Sequence, residues 1–220
     1  MNNPSLNRTS LAHHIAKKTY LKHTTYLEMK MATAKSLTSA ELEKALGYIA
    51  NNPNAERNKL MLSFGVLAGL RVSEIAGLTL GDVLDKDGKV RSEIYLASHR
   101  VKHGHARTIF LNSRLQQELA VYLATRTLRT ASFPLFSTQR GARCAFSANT
   151  LTQYFYWMFK NAGVKGASSH SCRKTFLTSL ASQGVSVFVL ASLAGHKSIT
   201  TTQRYITTND EVKRKAVELV

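Results

Sequence analysis

The chain has 220 residues, 44% of them apolar, with 12 Gly and 3 Pro, enough to bury one good-sized core and too mixed for a low-complexity protein. No apolar run approaches the roughly 18 residues of a bilayer span, no secretory signal is visible, and Cys144 and Cys172 make neither a disulfide framework nor a metal cluster, so the thiols read as reduced and cytoplasmic. Thirty Lys and Arg against 13 Asp and Glu leave a formal +17, of which residues 1–35 carry +5 and residues 36–220 carry +12. A body that basic faces a polyanion, with nucleic acid the leading candidate and membrane surfaces or ribosomal RNA behind it.

Residues 1–35 are rich in Asn, Ser, Thr, His and Lys without a sustained apolar period, and read as a flexible basic arm. Order begins at Leu37-Thr38-Ser39-Ala40-Glu41-Leu42, where Thr38 and Glu41 have capping-box spacing and Leu37 and Leu42 flank them as a staple. A helix is predicted to about Ala50, and a second from about Ala55 to Ala68, stopped by Gly69. Asp85–Lys89 is a turn, and Glu93–Ala97 and Arg107–Leu111 read as strands on either side of a basic hairpin. Helical periodicity returns from Ser113. Further helices follow: from Ser147 to Gly163, over Ser169–Gln183, Val187–Ala194 and Ser198–Ile206, and a closing tail helix over 210–219. The expected class is mainly α with a small three-stranded antiparallel β-sheet, the domain covering residues 36–220.

Three segments carry chemistry: Gly69-Leu70-Arg71-Val72-Ser73-Glu74, then His170-Ser171-Cys172-Arg173, then Gly195-His196-Lys197 with Tyr205 nine residues after His196. Breaking a phosphodiester without a metal requires neutralised phosphate oxygens, an in-line nucleophile, a route for its proton and a proton for the leaving oxygen. Arg71 and Arg173 suit the first task, since a guanidinium fork matches two phosphate oxygens. His170 and Arg173 lie three apart at a helix start and share a face, which places His170 to move the tyrosine proton. His196 is placed to hydrogen-bond a phosphate oxygen, and Tyr205 to attack phosphorus and form a phosphotyrosyl ester. Singly, each residue has a blander reading: a lone late Tyr usually packs, a lone His at a helix start usually caps, and Cys172 reads as a small buried residue. His99, His103 and His105 sit in a Lys/Arg-rich hairpin that disfavours a metal.

The order and spacing of the three segments resemble the active-site signature of the tyrosine recombinase, or phage integrase, family over roughly residues 37–210. The resemblance implies that family's catalytic-domain fold, with Arg71, Lys102, His170, Arg173, His196 and Tyr205 as catalytic residues. Lys102, on the hairpin before Gly104, takes the place of the family's general acid. Glu74 is expected to buttress Arg71, and Arg100, His103, Arg107, Lys174, Lys197 and Arg204 to face DNA. The implied activity is site-specific integration, excision, inversion or resolution on double-stranded DNA, as a mobile genetic element requires, without metal, cofactor or ATP. The implied assembly is a homotetramer on paired sites, monomeric when free, with accessory DNA-bending proteins and a nucleoid location. About 35 residues precede the Thr38 cap, too few for the helical core-binding domain most relatives carry, so the closer resemblance is to short members that invert fimbrial promoter segments. Two alternatives stay open: a catalytically idle DNA-binding regulator on the same fold, and a type IB topoisomerase-like relaxase.

Overall fold

A computed structural model of the chain describes residues 34–98, 106–126, 130–139, 141, 143–206, 213–214 and 217–218. The basic arm, apart from residues 34 and 35, most of the tail helix expected over 210–219, and Arg100, Lys102 and His103 lie outside these residues.

Helix α1 (Ser39–Ala50) starts as its sequence predicts. The Glu41 amide donates to Thr38 Oγ1 at 3.2 Å and the Thr38 amide to Glu41 Oε2 at 3.1 Å, so two otherwise orphaned N–H groups are satisfied reciprocally. Just upstream, the Leu37 amide donates to Thr175 Oγ1 at 2.7 Å and Leu37 is buried, which ties the chain entry to a helix formed 138 residues later. Helix α2 (Ala55–Leu67) buries Leu60, Met61, Leu62 and Phe64 on consecutive turns and on more than one side, the mark of a central helix rather than a surface one. It packs against α1, α5 (Ser113–Ala124) and α7 (Ser169–Ser182). At the α2–α7 crossing a Cβ on Gly65 would stand 2.6 Å from the Cys172 Cβ, so only glycine lets the two backbones approach this closely.

Two short helices that periodicity does not reveal, α3 (Val72–Ala76) and α4 (Leu80–Val83), lead from the core to the sheet. Strands β1 (Glu93–Leu96) and β2 (Arg107–Phe110) pair antiparallel, Ile94 opposite Ile109 and Leu96 opposite Arg107. The described residues hold two paired strands where three are expected. Leu84 and Val90 form only an isolated bridge, at the mouth of a turn in which the Asp85 carboxylate collects the amides of Asp87 and Lys89. Helix α6 (Ala148–Asn161), capped by Ser147, buries Phe155 and Phe159 in the main core and leaves Trp157 exposed. Beyond α7, α8 (Val187–Ala194) and α9 (Ile199–Gln203) close a smaller cluster around Leu177, Leu190 and Ala194, against which Tyr205 packs. The chain is mainly helical with a small antiparallel sheet. Among the described residues no helix is long and apolar enough to cross a membrane.

Candidate active site

The site is built on the C-terminal end of α8. A helix leaves its last four carbonyls without internal partners, and its dipole places about half a negative charge there. Gly195, left-handed at φ 59°, ends α8, and the turn it makes returns two amides to the helix: Gly195 N–H to Ser192 O and His196 N–H to Ala191 O, both at 3.0 Å. The next three carbonyls each take a different guanidinium. Arg107 Nη1 donates to Leu193 O at 2.5 Å, Arg173 Nη2 to Ala194 O, and Arg71 Nη2 to Gly195 O at 3.4 Å. Residues from β2, α7 and the start of α3 therefore converge on one helix end.

Glu74, buried, is the carboxylate that holds two of these cations. Its Oε1 accepts from Arg71 Nη1 at 2.9 Å, and its Oε2 from Arg107 Nη2 at 2.6 Å and from the Arg71 amide at 2.7 Å. Three guanidiniums against one carboxylate leave the cluster two positive charges in excess. Arg173 is 6% exposed and also donates to Gly69 O at 2.5 Å. Burial first, and then the charges of Arg71 and Arg107, push its guanidinium down to about 9. An arriving anion would reverse that effect, so the arrangement stores a preference for phosphate-like charge.

His196 follows the αL turn directly. Its Nε2 lies 3.2 Å from Arg173 Nη2 and its Nδ1 2.9 Å from the buried Thr202 Oγ1. Arg173 can only donate, so Nε2 accepts and Nδ1 carries the proton to Thr202. Burial, followed by the charges of Arg173, Arg71 and Arg107, pushes the imidazole down to about 4, and the ring is neutral at physiological pH. The Tyr205 ring stacks on it, with centroids 6.0 Å apart and planes inclined by 19°.

Arg71, Arg173, His196 and Tyr205, four of the residues singled out from sequence, thus come together at the end of α8. His170 stands exposed in the first turn of α7, one turn before Arg173, and Lys174 is half-buried on the same helix. Lys197 and Arg204 are exposed at the two ends of α9. Arg107 is not the DNA-facing residue expected of a basic hairpin: it is 8% exposed and committed to Glu74 and Leu193. The alternation of the strand carries the missing signal, since Arg107 shares a face with Ile109, which is buried. Its Nε is buried without a hydrogen-bond partner among the described residues, a cost of about 1–3 kcal/mol. Thr202 is the other functional residue the sequence does not announce, a threonine among threonines. Cys172 is buried, its thiol pushed up to about 12, and it is inert packing as its setting in the sequence suggests.

Residues 35–212 match the phage integrase family. The chain is 29% identical over 184 residues to the tyrosine recombinase XerA of Pyrococcus furiosus, covering 84% of this chain and 61% of that protein. It is 32% identical over 151 residues to the tyrosine recombinase XerC of Pelobacter propionicus, covering 68% and 47%. Among solved structures, the crystal structure of XerA recombinase superposes with a TM-score of 0.66 at 25% identity, over 84% of this chain and 62% of that one. A Tn1549 transposon integrase in complex with a circular intermediate DNA superposes with a TM-score of 0.67 at 24% identity, over 86% and 66%. The chain spans about half to three-fifths of the length of the curated relatives named.

Proposed function

The chain belongs to the phage integrase family, and from that membership we propose that it is a tyrosine-type site-specific recombinase that cuts and rejoins double-stranded DNA. The observation that carries the reading is the cluster of three guanidiniums and one carboxylate at the end of α8, with Tyr205 stacked beside it on His196. A scissile phosphate supplies the anionic charge the cluster is short of, and Arg71 and Arg173 take its non-bridging oxygens. Tyr205 Oη attacks phosphorus, a 3′-phosphotyrosyl bond forms, and the bond to the 5′-oxygen breaks. The tyrosine proton passes by way of His170, and Lys102 protonates the departing 5′-oxygen. The ester conserves the bond energy, and attack by a 5′-hydroxyl reverses the step and restores the tyrosine without metal, cofactor or ATP.

His196 needs no net charge for its part. The Thr202 hydroxyl can donate as well as accept, so it can serve the Nε2–H tautomer, which then donates to a phosphate oxygen once Arg173 turns to the phosphate. Arg100, His103, Lys174, Lys197 and Arg204 supply phosphate contacts around the site, and the +17 charge supports a strongly salt-dependent grip on DNA. Recombination by this chemistry proceeds in a homotetramer on two paired sites on the nucleoid, assisted by DNA-bending proteins, with a monomer when DNA is absent.

Nicked duplexes tiled from the DNA flanking the gene test the reading. The expected result is a covalent protein–DNA adduct that Tyr205→Phe abolishes without loss of binding. Binding without adduct on every duplex would make the chain a regulator, and relaxation of any supercoiled plasmid regardless of sequence would make it a relaxase.

A further inference from the structure

Arg107 is a buried charge that the mechanism above leaves unused. Its neighbours define what it does. One arm of the guanidinium holds Glu74 Oε2, the same oxygen that accepts the Arg71 amide, while the other Glu74 oxygen holds the Arg71 side chain. The other arm holds Leu193 O, two residues before the left-handed Gly195 that aims His196. The contact around Gly195 is close: a Cβ there would meet Arg107 Cδ at 2.7 Å. Arg107 thereby bridges the two elements that carry Arg71 and His196, from a strand that belongs to neither. Both arms of the guanidinium are committed at this junction, and its Nε is buried without a hydrogen-bond partner among the described residues.

We propose that Arg107 is a positioning residue for the strand-transfer step, which sets Arg71 through Glu74 and the His196 turn through the Leu193 carbonyl. The inference rests on the recombinase reading and adds to it a fourth essential cation that touches no DNA. A lysine cannot replace it fully. Its single ammonium reaches one anchor with full charge but does not span carboxylate and carbonyl as a planar fork does.

Two measurements test this, on the full chain. In single-turnover cleavage of a nicked duplex, Arg107→Met is expected to slow adduct formation by about 10²-fold at saturating DNA, the cost of misplacing reacting groups by an ångström. Its DNA affinity stays at the parental value, and Arg107→Lys recovers part of the rate. A parental rate in both variants would overturn the proposal, as would a loss confined to DNA affinity, which would return Arg107 to the DNA-contacting set. If the Met variant does not fold, the Lys variant decides alone: a slowed rate at unchanged affinity supports the proposal and a parental rate refutes it. The second measurement needs no substrate. In the free protein the His196 ring resonances are expected to move in Arg107→Met and to return part of the way in Arg107→Lys, and resonances that stay in place would sink the proposal. Absence of an adduct in the parent protein would count against the recombinase reading, while the His196 resonances still decide the role of Arg107.

Discussion

Glu74→Gln removes one charge and changes almost no volume, which makes it the sharpest probe of the cluster. Three donors converge on the two carboxylate oxygens: the Arg71 amide and Arg107 Nη2 on Oε2, and Arg71 Nη1 on Oε1. A glutamine amide offers one carbonyl and one NH2. With its carbonyl in the Oε2 place it keeps two bonds and turns its NH2 against Arg71 Nη1, and in the other orientation it sets NH2 against two donors. The better arrangement therefore releases the Arg71 side chain and leaves three guanidiniums with no anion between them. Removing one partner of a buried ion pair costs about 3–5 kcal/mol, and the two surviving hydrogen bonds place Glu74→Gln near the lower figure and Glu74→Ala near the upper. For a chain of this size each kcal/mol moves the melting midpoint by about 2–4 °C, so the glutamine variant should melt roughly 10 °C lower. Thermal unfolding followed by circular dichroism reads this directly. A midpoint within about 2 °C of the parent would refute the account of Glu74 as the shared anchor of Arg71 and Arg107.

Three further outcomes are expected. Gly195→Ala combines left-handed strain with a collision against the Arg107 side chain and should lower unfolding stability in urea by about 2–3 kcal/mol; a change under about 0.5 kcal/mol would show the turn to be slack. A thiol reagent should label one cysteine in the native protein, the exposed Cys144, and two after denaturation, because the Cys172 thiol is buried and pushed up to about 12; labelling of native Cys172 would contradict its packing against Gly65. His196 is held down at about 4 against an ordinary value near 6.5, so the unfolded chain takes up its proton first as pH falls. Its contribution to stability is complete above about pH 6.5 and is lost as pH drops toward about 4, so the midpoint difference between the parent and His196→Gln should move against the parent across that window. A difference that stays constant with pH would disprove the depressed value.

The sequence made different parts of the molecule legible for different physical reasons. The Thr38–Glu41 box fixed the start of α1 because capping is local, and the end of α8 followed from its terminal glycine, Gly195. Helices α3 and α4, four or five residues long, are too short to show any period, and only their packing reveals them. The four core site residues were recognisable from order and spacing, since a helix start and a helix stop place them predictably along the chain. The partnership of Arg107 with Glu74 was not, because it spans 33 residues and depends on how β2 lies against α8. A run of basic residues suggests a solvated loop, and the buried face of the strand overrides that suggestion.

The three arginines that finish α8 make its C-terminal end a joint between β2, α7 and the start of α3. Arg71, Arg107 and Arg173 occupy the carbonyls of Gly195, Leu193 and Ala194, and without them the helix end is left bare. Among the described residues the hydroxyl of Tyr205, half-buried at the edge of a small cluster, has no such second duty. Loss of any of the three arginines should therefore unsettle the fold as well as the proposed chemistry, whereas loss of the Tyr205 hydroxyl should touch the proposed chemistry alone.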